Sequence, residues 1–345
     1  MFSQIDLQDA VAAGAITAES ADALRSFVDE RRGLSGADDE NFRLLTGFND
    51  IFVNIATIIL LVAVGWLAAL AVSLLAGVAV AAVAWGLALF FTEKRRMALP
   101  SITLLIAFVG GIAFSAAQLV GDLSHPGPGM MILAGFAGAG AAYVHWRRFQ
   151  VPITVAAGAA AGALILIGAV GDLTGRSIGT TPVLIVTLVS GVGIFLLAMR
   201  WDSSDPARVT RRSDVAFWLH LLASPMIVHP IFALLGLDKG GGGPAGALVI
   251  IALYALLGIA ALAIDRRALL VSALVYVLWA LGSLMQNFGK SGLNIALTAL
   301  VIGSALLTLS AFWHQARRVV VAKLPDPIRR TLPPVYRQPT PQPAS

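Results

Sequence analysis

Cysteine is absent from this chain, which excludes a disulfide framework, a thiolate metal site and a cysteine nucleophile. Charge is almost as scarce: Asp, Glu, Lys and Arg make up 12% of residues, against about 25% in soluble proteins. With 58% hydrophobic residues beside it, that deficit excludes a water-soluble fold. The first long apolar run starts only at Ile51, whereas a secretory signal places its own within about the first 15–30 residues. The first helix is therefore expected to act as an uncleaved internal anchor. Catalytic signatures are missing too: there is no Ser-His-Asp order, no His-Glu-x-x-His and no paired carboxylate. Gly240 to Gly243 lacks the Lys-Ser/Thr and the strand of a phosphate loop. No enzyme is expected, and no cofactor or metal is assigned.

What the chain has is length without charge. Crossing the hydrocarbon core takes about 20 helical residues, and uncharged windows of that size fill the sequence from Ile51 to Trp313. Strands of a membrane barrel are about 10 residues long and alternate apolar with polar. These runs are continuous and longer. The fold class is thus all-α, a polytopic transmembrane helical bundle of about ten spans. The spans fall at about 51–70, 72–91, 99–120, 130–146, 151–170, 183–199, 215–236, 245–264, 268–285 and 293–313 of residues 48–316. They are expected to form five out-and-back hairpins, the first turning near Ala69 to Ser73. Gly-Asp-Leu recurs at Gly121 to Leu123 and Gly171 to Leu173, which fits like-oriented hairpins better than the inverted repeats of many transporters.

The net charge of +5 raises nucleic acid as a partner, but the positions of the basic residues argue for lipid. One set of connections holds Lys94, Arg95, Arg96, Arg147, Arg148, Arg200, Arg208, Arg211, Arg212, Arg266 and Arg267. The alternate set holds only Arg176, Lys239 and Lys290. Positive charge is retained in the cytoplasm, so both termini are expected there, in a bacterial cytoplasmic (inner) membrane.

Residues 1–47 read as a cytoplasmic helical hairpin. Leu7 and Val11 share a face, Gly14 stops the first helix, and Thr17 caps a second that carries Ala21, Leu24, Phe27 and Val28. Too small to stand alone, the hairpin is expected to dock on the bundle or on a protein partner. The Gly-Ala-Ile-Thr-Ala-Glu turn at Gly14 to Glu19, the acidic-basic helix after it and the Ala/Gly-rich spans that follow resemble uncharacterised bacterial families of predicted membrane proteins. Those families place a cytoplasmic hairpin before a multi-pass bundle. The likeness covers residues 1 to about 70, implies no activity, and departs from the family in having Gly65-Trp66 where an Asn-Trp pair often follows the first span.

At the other end, residues 317–345 form a basic, Pro-rich cytoplasmic tail. Arg317, Arg318, Lys323, Arg329, Arg330 and Arg337 stand against Asp326 alone. They are expected to bind anionic headgroups, with contact to the acidic N-terminal segment or to a protein partner as the alternatives. From Leu324 onward, Pro325, Pro327, Pro333 and Pro334 are expected to preclude a helix.

No Asp, Glu, Lys or Arg falls inside an expected span, so the usual marks of a proton or ion pathway are missing. The seventh span is the most unusual, with His220, Pro225, His229 and Pro230. Two interior prolines are expected to kink or break it and free backbone carbonyls. These four residues form the candidate solute or ion site. His220 and His229, nine apart, fall on opposite faces of an ideal helix. Asp122, Asp172 and Asp238 end the third, fifth and seventh spans and form a candidate outer-rim cation site, the plainer reading being ordinary turn chemistry. Gly135, Gly138 and Gly140, with Gly158 and Gly162 in GxxxG spacing, point to close helix packing. Two functions follow: a non-enzymatic membrane scaffold or complex subunit, or a small-solute transporter with its site at the seventh helix.

Overall fold

Within a bilayer, a segment must satisfy its own backbone N–H and C=O groups, and a helix does so. Long runs of Ala, Leu, Val and Ile without internal charge meet that demand here. The computed structural model describes residues 10–11, 13–24, 48–121, 127–175, 180–205, 210–236, 243–266, 270, 300, 303–304, 307–329 and 332. The described elements are all helical. The chain divides into two units, Met1–Arg43 and Leu44–Ser345.

In the first unit, Gly14 takes φ +73° and its N–H donates to the Val11 carbonyl at 3.0 Å. Such a conformation is cheap only for a residue without Cβ. Two residues beyond Ala15, the Thr17 hydroxyl accepts from the Ser20 N–H at 3.1 Å, an N-cap for the helix that follows.

The second unit opens with α1, Phe48–Ala71. It is followed by α2, Ser73–Ala88, which ends in a π-helical turn over Leu89–Lys94. Then come α3, Ala98–Ala117; α4, Pro128–Phe149; α5, Ile153–Thr174; α6, Thr181–Ser203; α7, Arg211–Leu234; and α8, Gly243–Ile264. These eight helices lie where the first eight spans were expected. Six of them, α1, α2 with its π turn, α3, α5, α6 and α7, are long and apolar enough to cross a bilayer. The expected span 268–285, Leu270 apart, and about half of 293–313 lie outside the described residues.

Between α1 and α2 a single extended residue, Val72, breaks the helix. The chain then folds back on itself. A Cβ on Gly65 would meet Val80 at 3.1 Å, and Leu61 packs with Ala84; both pairs straddle Val72 evenly, as antiparallel helices require. Residues 51–92 are thus two helices. The Thr103 hydroxyl donates to Asn54 at 2.6 Å and ties α3 to α1.

Further along, packing departs from the expected hairpins. It is closest between α2 and α3, α4 and α5, and α6 and α7, the pairs joined at the Arg-bearing connections. The expected pairs α3–α4 and α5–α6 are less closely packed. The reason is where small residues allow backbones to touch. A Cβ on Gly77 would lie 2.2 Å from the Gly111 carbonyl oxygen, one on Gly135 2.8 Å from that of Ala161, and one on Gly191 2.8 Å from the Met226 backbone. Each crossing falls within one of the three close pairs. Gly158 is in ordinary contact with Ala142, and nothing stands near Gly140 or Gly162.

The tail also differs from expectation. A further helix, α9, spans Trp313–Ala322 and crosses the boundary expected at 316. Asp326–Arg329 forms a helical turn despite Pro327, because proline is tolerated in the first turn, where its missing N–H has no partner to lose. Arg329 donates to the carbonyls of Ala322 at 3.4 Å and Leu324 at 3.1 Å, closing the end of α9. Leu332 packs beside Trp313 and Leu270. The prolines from Pro333 on lie outside the described residues.

Candidate functional site

The seventh helix runs unbroken from Arg211 to Leu234 through Pro225 and Pro230. Each proline still deprives a carbonyl one turn earlier of its helical donor. His220 is fully buried, with its ring edge-on to Phe195 of α6 at 5.3 Å. Ser224, one turn on, and Pro230 are buried as well, whereas Pro225 and His229 are exposed. The four candidate residues are therefore not brought to one place. Of the outer-rim acids, Asp172 is exposed in the last turn of α5, and Asp122 and Asp238 lie outside the described residues. Among the described residues, no three His, Cys, Asp or Glu side chains are placed to share a metal ion.

The structure assembles a polar site elsewhere, at the end of the bundle that carries the basic connections. Arg148 pairs with Glu93 at 2.7 Å and joins the end of α4 to the turn after α2. Arg211 donates to Gln150 at 3.0 Å and joins the start of α7 to the α4–α5 turn. Arg266, after α8, forks onto Asp202 of α6 at 2.5 and 3.4 Å and donates to the backbone and hydroxyl oxygens of Ser213 at 3.2 Å each. Finally, the Trp313 indole N–H donates to Asp265 at 2.8 Å, with Arg317 at 3.6 Å from the same carboxylate. These contacts hold successive basic connections together. At the opposite end, Ser73 and Gln118 exchange hydrogen bonds at 2.8 and 3.1 Å.

Burial concentrates in the last links. The Arg266 and Asp202 side chains are 3% and 2% exposed, and Asp205, Asp265 and Arg317 are buried too. Asp205 accepts from both the N–H and the hydroxyl of Thr210, at 2.8 and 2.7 Å, which shapes the entry to α7. Asp265 and Arg266 thus bond to different helices from the end of α8, one to α9 and the other to α6 and α7. Arg266 has its fork committed to Asp202 and Ser213, so the arrangement clamps helices together. A second buried polar residue is His145 of α4, boxed by Trp85, Phe108 and Phe149 at 6.2, 5.9 and 4.7 Å between ring centres. Its Nδ1 lies 3.3 Å from the Thr154 hydroxyl.

The sequence marked Arg148, Arg211 and Arg266 only as basic connections, and the expectation that Arg317 binds headgroups is corrected by its burial against Asp265; the acids and the histidine that complete these contacts were not singled out. The available signal was an acid in an otherwise basic connection: Asp202, Asp205 and Asp265 stand among the arginines.

Among the described residues, helices alone, six of them fit to cross a bilayer, with charges gathered at helix ends, define a polytopic α-helical membrane protein. Comparison with family models, curated proteins and solved structures finds no match for the chain.

Proposed function

We propose that this protein is a non-enzymatic scaffold or complex subunit of a bacterial inner membrane, with ten spans and both termini cytoplasmic. One observation carries the reading: successive helix pairs meet backbone to backbone at Gly77/Gly111, Gly135/Ala161 and Gly191/Met226. Such contacts fill the interior with protein and favour a dry bundle over a solute path. The dispersal of His220 and His229 onto buried and exposed positions supports the same reading. Protein partners would dock on the N-terminal hairpin and on the C-terminal tail, residues 317–345.

The orientation rests on the positive-inside rule, supported by the polar contacts that collect the Arg-bearing connections at one end. Epitope tags inserted at Glu93 to Arg96 and at Gly240 to Gly243 are expected to label from opposite sides of sealed cells. Labelling of both from one side overturns the topology.

The transporter reading retains one supporting observation: α7 is the most buried of the six apolar helices. Solute flux into reconstituted vesicles separates the two. No flux above protein-free vesicles is expected across a panel of cations, anions, amino acids and sugars. A flux abolished by His220→Ala would replace the scaffold with a carrier.

A further inference from the structure

Two arginines at the basic end lie against aromatic rings on the outside of the bundle. The Arg95 guanidinium sits over the Phe90 ring at 5.5 Å. That of Arg147 sits over the Tyr143 ring at 5.9 Å and donates to its hydroxyl at 3.1 Å. Phe90 is 44% and Tyr143 61% exposed. Beside the rings Leu89 and Val144 are exposed, and so is Phe136, two turns before Tyr143 on the same face of α4. Since α4 packs against α3 and α5, both long and apolar enough to cross the bilayer, such a face meets lipid.

Helix direction sets the depth of these cations. Helical side chains lean toward the N-terminus of their own helix. The π turn of α2 and the last turn of α4 both run out into basic connections, so Arg95 and Arg147 fold back toward the bilayer, each onto a ring one turn earlier. Their stems lie along apolar surface while the charged heads stay at its polar edge. Helix α7 instead begins at this end, so Arg212, exposed in its first turn, leans toward water. Glu93 is held by Arg148 at 2.7 Å, and among the described residues no carboxylate pairs with Arg95 or Arg147.

We propose that Arg95 and Arg147 bind the phosphodiester groups of anionic phospholipids, each held at headgroup depth by the ring beneath it. A guanidinium presents a fork of N–H donors that fits phosphate oxygens, and a face stacked on a ring leaves donors at its edge. The unbalanced positive charge favours an anionic headgroup over a zwitterionic one. This rests on the bilayer placement of the bundle and adds to it a lipid class and two binding positions. Each basic residue near an anionic surface gives roughly fivefold in affinity.

Because the chain has no cysteine, Val144→Cys in the full-length protein takes a single fluorophore beside Arg147. The labelled protein is placed in phosphatidylcholine nanodiscs that contain a fixed fraction of nitroxide-labelled phosphatidylglycerol or of nitroxide-labelled phosphatidylcholine. Quenching is expected to report a preference for phosphatidylglycerol of at least about threefold. Arg147→Gln should abolish that preference, and Arg212→Gln, which removes the same charge, should leave most of it. Leu89→Cys with Arg95→Gln repeats the measurement at the other position. Inorganic phosphate should displace the lipid no better than chloride at equal ionic strength. Equal quenching by the two lipids overturns the proposal, as does a preference that survives Arg147→Gln, one lost equally to Arg212→Gln, or one displaced specifically by phosphate. Failure to enter nanodiscs at all would instead overturn the bilayer placement on which it stands.

Discussion

Arg266→Met is expected to destabilise the bundle by about 3–5 kcal/mol, because it strands a buried carboxylate. Asp202 is 2% exposed and receives the Arg266 guanidinium at two positions. With the cation gone, both bonds of the guanidinium fork to this buried carboxylate are lost. The cost should fall sharply in the double variant Asp202→Leu with Arg266→Met, since removing both charges also removes both desolvation penalties. Arg266→Lys should lie between the two: it keeps the charge but loses the fork and the paired contacts to Ser213. Unfolding in a fixed detergent, run as a double-mutant cycle, measures the coupling. A loss under about 1 kcal/mol for Arg266→Met would place the pair in the solvated class and dissolve the clamp.

This pair also shows what a sequence can and cannot display. Counting charges reads Arg266 as a marker of the cytoplasmic side, and that reading needs no knowledge of the fold. Its second role depends on Asp202, 64 residues earlier in the chain, coming to the same helix end. Nothing local encodes that meeting. The helices themselves were legible, because each is built around a long charge-free apolar run, with the charged residues it carries confined to its terminal turns. Observed limits such as Thr181–Ser203 differ from the expected 183–199 by only a few residues.

Helix ends divide in the same way. Gly175 and Gly236 end α5 and α7 with positive φ, and glycine announces such turns. Arg96, Gln150 and Asp265 take the same conformation at the basic end, where it costs roughly 1–2 kcal/mol for a side-chain-bearing residue. For two of them the offset is visible: Gln150 accepts from Arg211 and Asp265 from Trp313. Those bonds exist only after the bundle has formed, so the residues give no local sign of a turn. Prolines are read less surely. Pro225 and Pro230 signal a kink or a break, and α7 continues through both, while Pro327 signals the end of helix, yet it sits in a helical turn.

Glycine spacing tells which residues share a face, but not which face finds a neighbour. Gly158 and Gly162 have the spacing of a close crossing, and nothing stands near Gly162. The closest approach lies at Gly77 and Gly111, which no motif marked. There a Cβ on Gly77 would fall 2.2 Å from the Gly111 carbonyl oxygen and 2.5 Å from the Ser115 hydroxyl, and a Cβ on Gly111 would fall 2.5 Å from the Gly77 carbonyl oxygen. Backbone atoms cannot rotate aside as a side chain can, so the helices must separate.

Gly77→Val is accordingly expected to cost at least about 3 kcal/mol, the upper part of the range for overpacking. It also parts the Ser115 hydroxyl from the Leu74 carbonyl, now 2.6 Å apart. Gly162→Ala is the control: with open space around it, alanine should be neutral or stabilise the helix by up to about 1 kcal/mol. Because Gly77 and Gly111 guard one contact from its two sides, the double variant Gly77→Val/Gly111→Val should lose clearly less than the sum of the single losses. Helices already driven apart by the first side chain have room for the second. Additive losses in detergent unfolding would mean that the two glycines serve separate contacts, and a near-neutral Gly77→Val would remove the backbone crossing on which the dry-bundle reading depends.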